Sequence, residues 1–317
     1  MNTINMWGKY QPANIDIDLA NKTFFWQNGD NEKHYLKNEL AQKFYSPSDI
    51  LYTYNSRGFR SDELDNSAKI KILYSGCSIT EGTGLPIEHV WSSFLNNRIS
   101  DETGIPVKLF NIARSGIGID SIVRRIYSHV EHGYFVPDMV CLLLPNVLRQ
   151  EYLMVDQGQR EPSFFDYLPA HCPPTMELVE LHRSLTINDN YRQRLHDAFR
   201  NLLLLKWYLH SRNIPWFFSF WDDSLSKNVL DVNITTKEDL IYDIPRELEE
   251  HYVQGAMFFD THIDDTKKNF EKLFKQPIAR DYQHFGPNSH YNFSKEFYNQ
   301  LITRESFQYL LEKWREI

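Results

Sequence analysis

From residue 70 onward the chain alternates short apolar runs with longer amphipathic stretches, and no other feature restricts its fold so strongly. The runs at 70–74, 107–111, 139–144 and 216–221 read as strands. Between them the stretches at 87–99, 119–131 and 191–211 carry helical spacing, and a last helix is expected over 294–316. The order β-α-β-α-β-α-β-α predicts a parallel sheet covered by helices on both faces.

Two segments interrupt that rhythm. Residues 151–190 follow directly on a strand end and contain Pro162, Pro169, Pro173 and Pro174. Long loops at the carboxyl edge of a parallel sheet are often functional. Residues 221–280 mix charge runs with the apolar patch Met257-Phe-Phe259, a candidate fifth strand. Ahead of the alternating region, residues 1–65 are polar and aromatic. There Thr23-Phe-Phe-Trp26 is separated from Tyr35 by the turn signal Gln27-Asn28-Gly29-Asp30, and Ile50-Leu-Tyr-Thr-Tyr54 follows. They are expected to form a small β-rich extension packed on a main domain of residues 66–317.

Composition narrows the function. A chain of 317 residues with 42% hydrophobic and 24% charged residues can bury a full core. Its formal net charge of -8 supplies no basic field for a phosphate backbone, so nucleic acid is excluded as an expected partner. No run approaches the roughly 18 apolar residues of a spanning helix, and the first residues lack the basic-then-apolar pattern of a secretion signal. The expectation is a soluble protein, cytoplasmic or, for a phage source, virion-associated. Cys77, Cys141 and Cys172 stand far apart without metal-ligand spacing and read as reduced thiols.

The strand at 70–74 breaks into Gly76-Cys-Ser78-Ile-Thr-Glu-Gly82-Thr-Gly84. A strand–turn–helix of this kind exposes a hydroxyl beside unpaired backbone N–H groups, which suits a nucleophile. A serine needs a base, a group to orient the base, and donors for the oxyanion. Asp281-Tyr-Gln-His284 offers the first two, since a carboxylate three residues ahead of an imidazole can share one tight turn with it. Gly116, after the second strand, and Asn146, after the third, offer a backbone and a side-chain donor. Each also has a structural reading: Asp281 with His284 as a surface turn, Gly116 as a turn residue, Asn146 as a helix cap.

In combination these blocks resemble the SGNH, or GDSL-type, hydrolases. Residues 72–82 are similar to that family's first block, 111–118 to its second, and Leu144-Pro-Asn146 to its third. Asp281-Tyr-Gln-His284-Phe-Gly-Pro-Asn-Ser-His290 is similar to its last block. The resemblance implies a flavodoxin-like three-layer α/β/α sandwich and a serine esterase that needs no metal or cofactor. By position it implies Ser78 as nucleophile, His284 as base and then acid, and Asp281 as the orienting carboxylate. The oxyanion donors would be the N–H groups of Ser78 and Gly116 and the amide of Asn146. Cys77 departs from the family's usual Asp, and a second reading makes Cys77 itself the nucleophile.

Other residues carry paired readings. Asn55-Ser-Arg-Gly-Phe-Arg60 is similar to a segment before the first block in some SGNH proteins of phages and polysaccharide gene clusters. Arg57 and Arg60 then either contact an acidic substrate or belong to a solvated turn. Phe164, Phe165 and Tyr167 either form an acyl or sugar platform or anchor their own loop. His290 either bonds within the His284 loop or faces solvent, and Asp260, His262 and Asp265 form an acidic loop or ligate a hard metal. Gly76 to Gly84 is no P-loop, because no Gly-Lys-Ser/Thr follows; a phosphate seat at the helix start is its alternative. The expected activity is hydrolysis of an O-acetyl or other short acyl ester on a carbohydrate. The alternatives are a lipid or lysophospholipid esterase, or a non-catalytic binding or structural module.

Overall fold

The computed structural model describes residues 18–27, 29–132, 136–147, 149–154, 163–167, 191–221, 243–253, 279–281 and 284–317. The strands β3 (Ile72–Gly76), β4 (Phe110–Asn111), β5 (Met139–Leu144) and β8 (Trp216–Phe220) form one parallel sheet in the order β4-β3-β5-β8. Along these strands alternate side chains leave opposite faces. Leu73, Val140, Leu142, Leu144 and Phe218 pack into one core with α5 (Ile119–Glu131), α6 (Tyr191–Ser211) and α7 (Asp243–Glu249). Ile72, Tyr74, Met139, Cys141, Leu143 and Phe217 pack into the other with α4 (Trp91–Thr103), α8 (Pro287–Leu301) and α9 (Glu305–Arg315). The chain is therefore a three-layer α/β/α sandwich, as its alternation predicts.

Beyond β8 a single parallel bridge joins Phe218 to Tyr252. It occupies the place of a fifth strand, ahead of the predicted 257–259, which lies outside the described residues. So do Asp260, His262, Asp265 and Cys172. At the opposite edge β4 is shorter than the predicted 107–111. The reason is local: Leu109 N–H donates to Asp62 Oδ2 at 2.7 Å and Asn111 N–H to Ser61 Oγ at 3.0 Å. Residues of the extension thus occupy the edge and blunt it.

That extension holds an antiparallel pair, β1 (Thr23–Phe24) with β2 (Tyr52–Thr53), but also α1 (Glu32–Tyr35) and α2 (Glu39–Phe44), so β-rich describes only part of it. Asn31 and Asn38 cap the two short helices, Asn38 Oδ1 accepting from both Leu40 and Ala41. Tyr35, Ala41, Tyr45, Tyr52 and Tyr54 are buried in the same cluster as β3 and α4.

Two further expectations are corrected. The last helix is two, α8 and α9, broken at 302–304. Leu301 and Phe307 are both buried, yet six residues would place them about 120° apart on one continuous helix, so a turn must reset the phase. The insertion opens as a hairpin: β6 (Gln150–Met154) pairs antiparallel with β7 (Ser163–Tyr167). Glu151 roots it on α5, where Arg124 and Ser121 both donate to its carboxylate.

Candidate active site

The site lies at the carboxyl edge of the sheet, beside the point where strand order reverses between β4, β3 and β5. Open α/β sheets form their crevices there. Gly76 pairs with Leu143, so Ser78 stands two residues past that rung and Asn146 three residues past it on the neighbouring strand. On the other side, Arg114 N–H donates to Gly76 O at 3.2 Å, which brings residues 114–118 to the same edge. Ser78, Gly116 and Asn146 therefore lie at the same edge of the sheet.

Ser78 is the first residue of the short helix α3 (Ser78–Glu81), which closes at Gly82 with a left-handed turn. Its side chain is nearly buried, and its hydroxyl lies 2.7 Å from His284 Nε2. On the other side of the ring, His284 Nδ1 is hydrogen-bonded to Asp281 Oδ2, and His284 N–H donates to Asp281 Oδ1 at 3.2 Å. The tautomer follows from the partners. An ionised carboxylate only accepts, so the proton sits on Nδ1, and Nε2 is left to accept from the serine O–H. The imidazole is 18% exposed and the carboxylate 0%, so the chain of bonds runs from the surface inward.

Cys77 is a buried free thiol whose sulfur is 4.0 Å from Ser78 Oγ, and it is Ser78 that the imidazole meets. Gly116 is exposed and has φ +91°, a conformation L side chains rarely adopt, although a Cβ there would touch nothing within 4 Å. Backbone geometry, not space, requires that glycine. Asn146 is half-buried, and its carbonyl accepts from Arg149 N–H at 3.1 Å. His290 is buried with Nδ1 accepting the Trp91 N–H at 3.1 Å, which caps α4. Burial pushes its pKa down to about 3, so it is a neutral cap.

Arg60 fits neither the substrate contact nor the solvated turn. It is 2% exposed, its guanidinium donating to the carbonyls of Gly82 (2.6 Å) and Leu85 (2.7 Å) and lying 4.4 Å from the centre of the Tyr52 ring. Backbone carbonyls of the turn that follows α3 are what its charge serves. Arg57 is half-buried in a closed loop in which Asn55 Oδ1 accepts from Arg57 and Phe59 N–H. The backbone of Phe164, Phe165 and Tyr167 forms β7, and their side chains lie outside the described residues.

Two residues inside the first and second blocks frame the site although the sequence assigned them no role. Asn111 is buried, donating to Thr80 O at 2.6 Å and accepting from Ala113 N–H. Glu81, buried one turn after Ser78, accepts the Ser115 N–H with Oε2 and so ties α3 to the loop that ends in Gly116. A carboxylate inside a short apolar turn was the available signal for Glu81. For Arg280, treated below, it was adjacency to Asp281.

No protein-family model and no curated protein matches this chain. Among solved structures, one titled "Crystal Structure of TesA" superposes with a TM-score of 0.41 and 14% identity, covering 73% of this chain and 97% of that one. A superposition at that level says nothing about chemistry.

Proposed function

We propose that the protein is a serine ester hydrolase acting through an acyl-enzyme. One observation carries this reading: a serine hydroxyl, an imidazole and a buried carboxylate joined by two hydrogen bonds in the only order that transfers a proton. Ser78 Oγ attacks the acyl carbon while Nε2 takes its proton, and the carbonyl electrons move onto oxygen. The Asp281 carboxylate stabilises the imidazolium that forms. Collapse expels the alcohol, which leaves with the proton from Nε2. Water then attacks the acyl-enzyme, giving its proton to His284, and the second collapse returns that proton to Ser78 and frees the acid. The Ser78 and Gly116 N–H groups and the Asn146 amide are the proposed oxyanion donors. For the substrate we propose an O-acetyl or other short acyl ester on a carbohydrate, supported by the likeness of residues 55–60 to a segment of some SGNH proteins of polysaccharide gene clusters.

Hydrolysis of a p-nitrophenyl ester series tests both halves. Ser78→Ala and His284→Ala are expected to lose about 10⁴-fold or more in kcat, and Asn146→Ala about 10² to 10³. Equal rates for wild type and Ser78→Ala would end the esterase reading. A preference for long acyl chains would end the short-acyl one.

A further inference from the structure

Asp30 and Arg280 are both fully buried and joined at 2.7 Å, with Arg280 Nε a further 3.1 Å from Asp30 Oδ2. Two further guanidinium donors go to the carbonyls of Pro47 and Phe25, and the Trp26 ring centre lies 3.9 Å away. Removing two charges from water costs several kcal/mol, so a pair this deep is poor evidence of a gain in stability. Its position is more informative. Arg280 immediately precedes Asp281, and its own N–H donates to Gly84 O at 2.8 Å. Gly84 N–H in turn donates to Tyr52 Oη at 2.8 Å, and Tyr52 O–H donates to Asp30 Oδ2 at 2.5 Å. These bonds close a ring: Asp30, Arg280, Gly84, Tyr52 and back to Asp30. The ring joins the extension, the turn that follows the nucleophile helix, and the loop that carries the carboxylate. The fit at Gly84 is tight, since a Cβ there would stand 2.8 Å from Ala279 Cβ and 2.9 Å from Asp281 Oδ1.

We infer that Asp30 is a positioning residue for the proposed triad: through Arg280 it sets where Asp281 holds the His284 ring. The role rests on the triad reading above. It makes the extension a working part of the site and not only a cover for the sheet edge. A carboxylate displaced by a fraction of an ångström still pairs with an imidazole but aims Nε2 away from the serine, so the loss falls on turnover and not on substrate binding.

The test uses the full chain. Asp30→Asn keeps the size of the side chain and removes its charge; kcat on p-nitrophenyl acetate is expected to fall about 10- to 100-fold with KM changed less than about twofold. The low-field proton NMR resonance of His284 Nδ1–H should shift or broaden in parallel. Tyr52→Phe breaks the same ring at one hydroxyl and should move both readouts in the same direction by less. Asp65→Asn removes the exposed pair between the extension and Lys108 and should move neither. If Asp30→Asn and Tyr52→Phe melt earlier but keep wild-type kcat and the wild-type resonance, the pair only docks the extension and the inference is overturned. Should Asp30→Asn fail to fold, Tyr52→Phe decides by the same two readouts. A wild type that shows the resonance without hydrolysis removes the esterase reading alone, because the resonance needs no substrate; one with neither overturns both.

Discussion

At the scale of single residues, the site depends on groups whose environment decides their state. Glu81 is buried, and burial raises its carboxyl pKa above the ordinary 4.5, against the Ser115 N–H and the charge of Arg60. Below its unfolded pKa the group is neutral in both states and indifferent. As the pH rises above about 4.5 the unfolded chain releases the proton that the folded chain retains, so stability falls through that window. Glu81→Gln keeps an acceptor for Ser115 N–H, and its amide can donate to Tyr54 Oη, which itself donates to Gln27. The variant should therefore gain stability over wild type at pH 7 and much less at pH 4, as read from urea midpoints. Equal shifts at both pH values would remove burial as the cause. Little of this was legible beforehand. Ser78 stands in a recognisable turn and Asp281 and His284 in recognisable spacing, whereas Arg60 looks like an ordinary surface charge until the chain folds over it.

Among the elements, the hairpin β6–β7 shows how a segment read as a proline-rich loop acquires structure. Its strand carries Glu151, 7% exposed, onto Arg124 of α5, equally buried, with Ser121 as a second donor. A buried ion pair contributes little by itself, but one partner left alone is costly. Arg124→Met is therefore expected to lower the unfolding free energy by about 3–5 kcal/mol. Arg124→Met with Glu151→Met should recover most of that loss in a denaturant titration. Non-recovery would mean that the other contacts of Arg124, and not the stranded Glu151, account for the effect. The break between α8 and α9 was visible in principle, because the apolar positions 293, 297 and 301 fall out of phase with 307, 310, 311 and 314. Apolar residues throughout the stretch concealed the shift.

For the whole molecule, two interior histidines contribute to the response to acid. His129 and His290 are fully buried, and desolvation pushes both pKa values down to about 3 from 6.5. Both stay neutral in the folded chain while the unfolded chain takes up protons below about 6.5, so stability present above that pH is lost as pH falls toward 3. His129 Nδ1 bonds only the Arg125 carbonyl of its own helix, and Nε2 has no partner among the described residues. His129→Leu should therefore flatten the stability–pH slope between pH 6 and 4 by about one proton. An unchanged slope from denaturant midpoints would reject that assignment. The two-sided sheet, by contrast, was determined by the sequence alone. Strand and helix periods of about 2.0 and 3.6 residues are imposed by backbone geometry, so they repeat within a few residues and can be read locally. Asp281 and His284 share a turn, and their spacing was visible for the same reason. Only the tertiary structure decided that His284 meets Ser78 across 206 residues, and that Arg280 meets Asp30 across 250. Hydrogen bonds and ion pairs at such separations impose no period on the chain, and burial, which gives them their strength, exists only once the layers have closed.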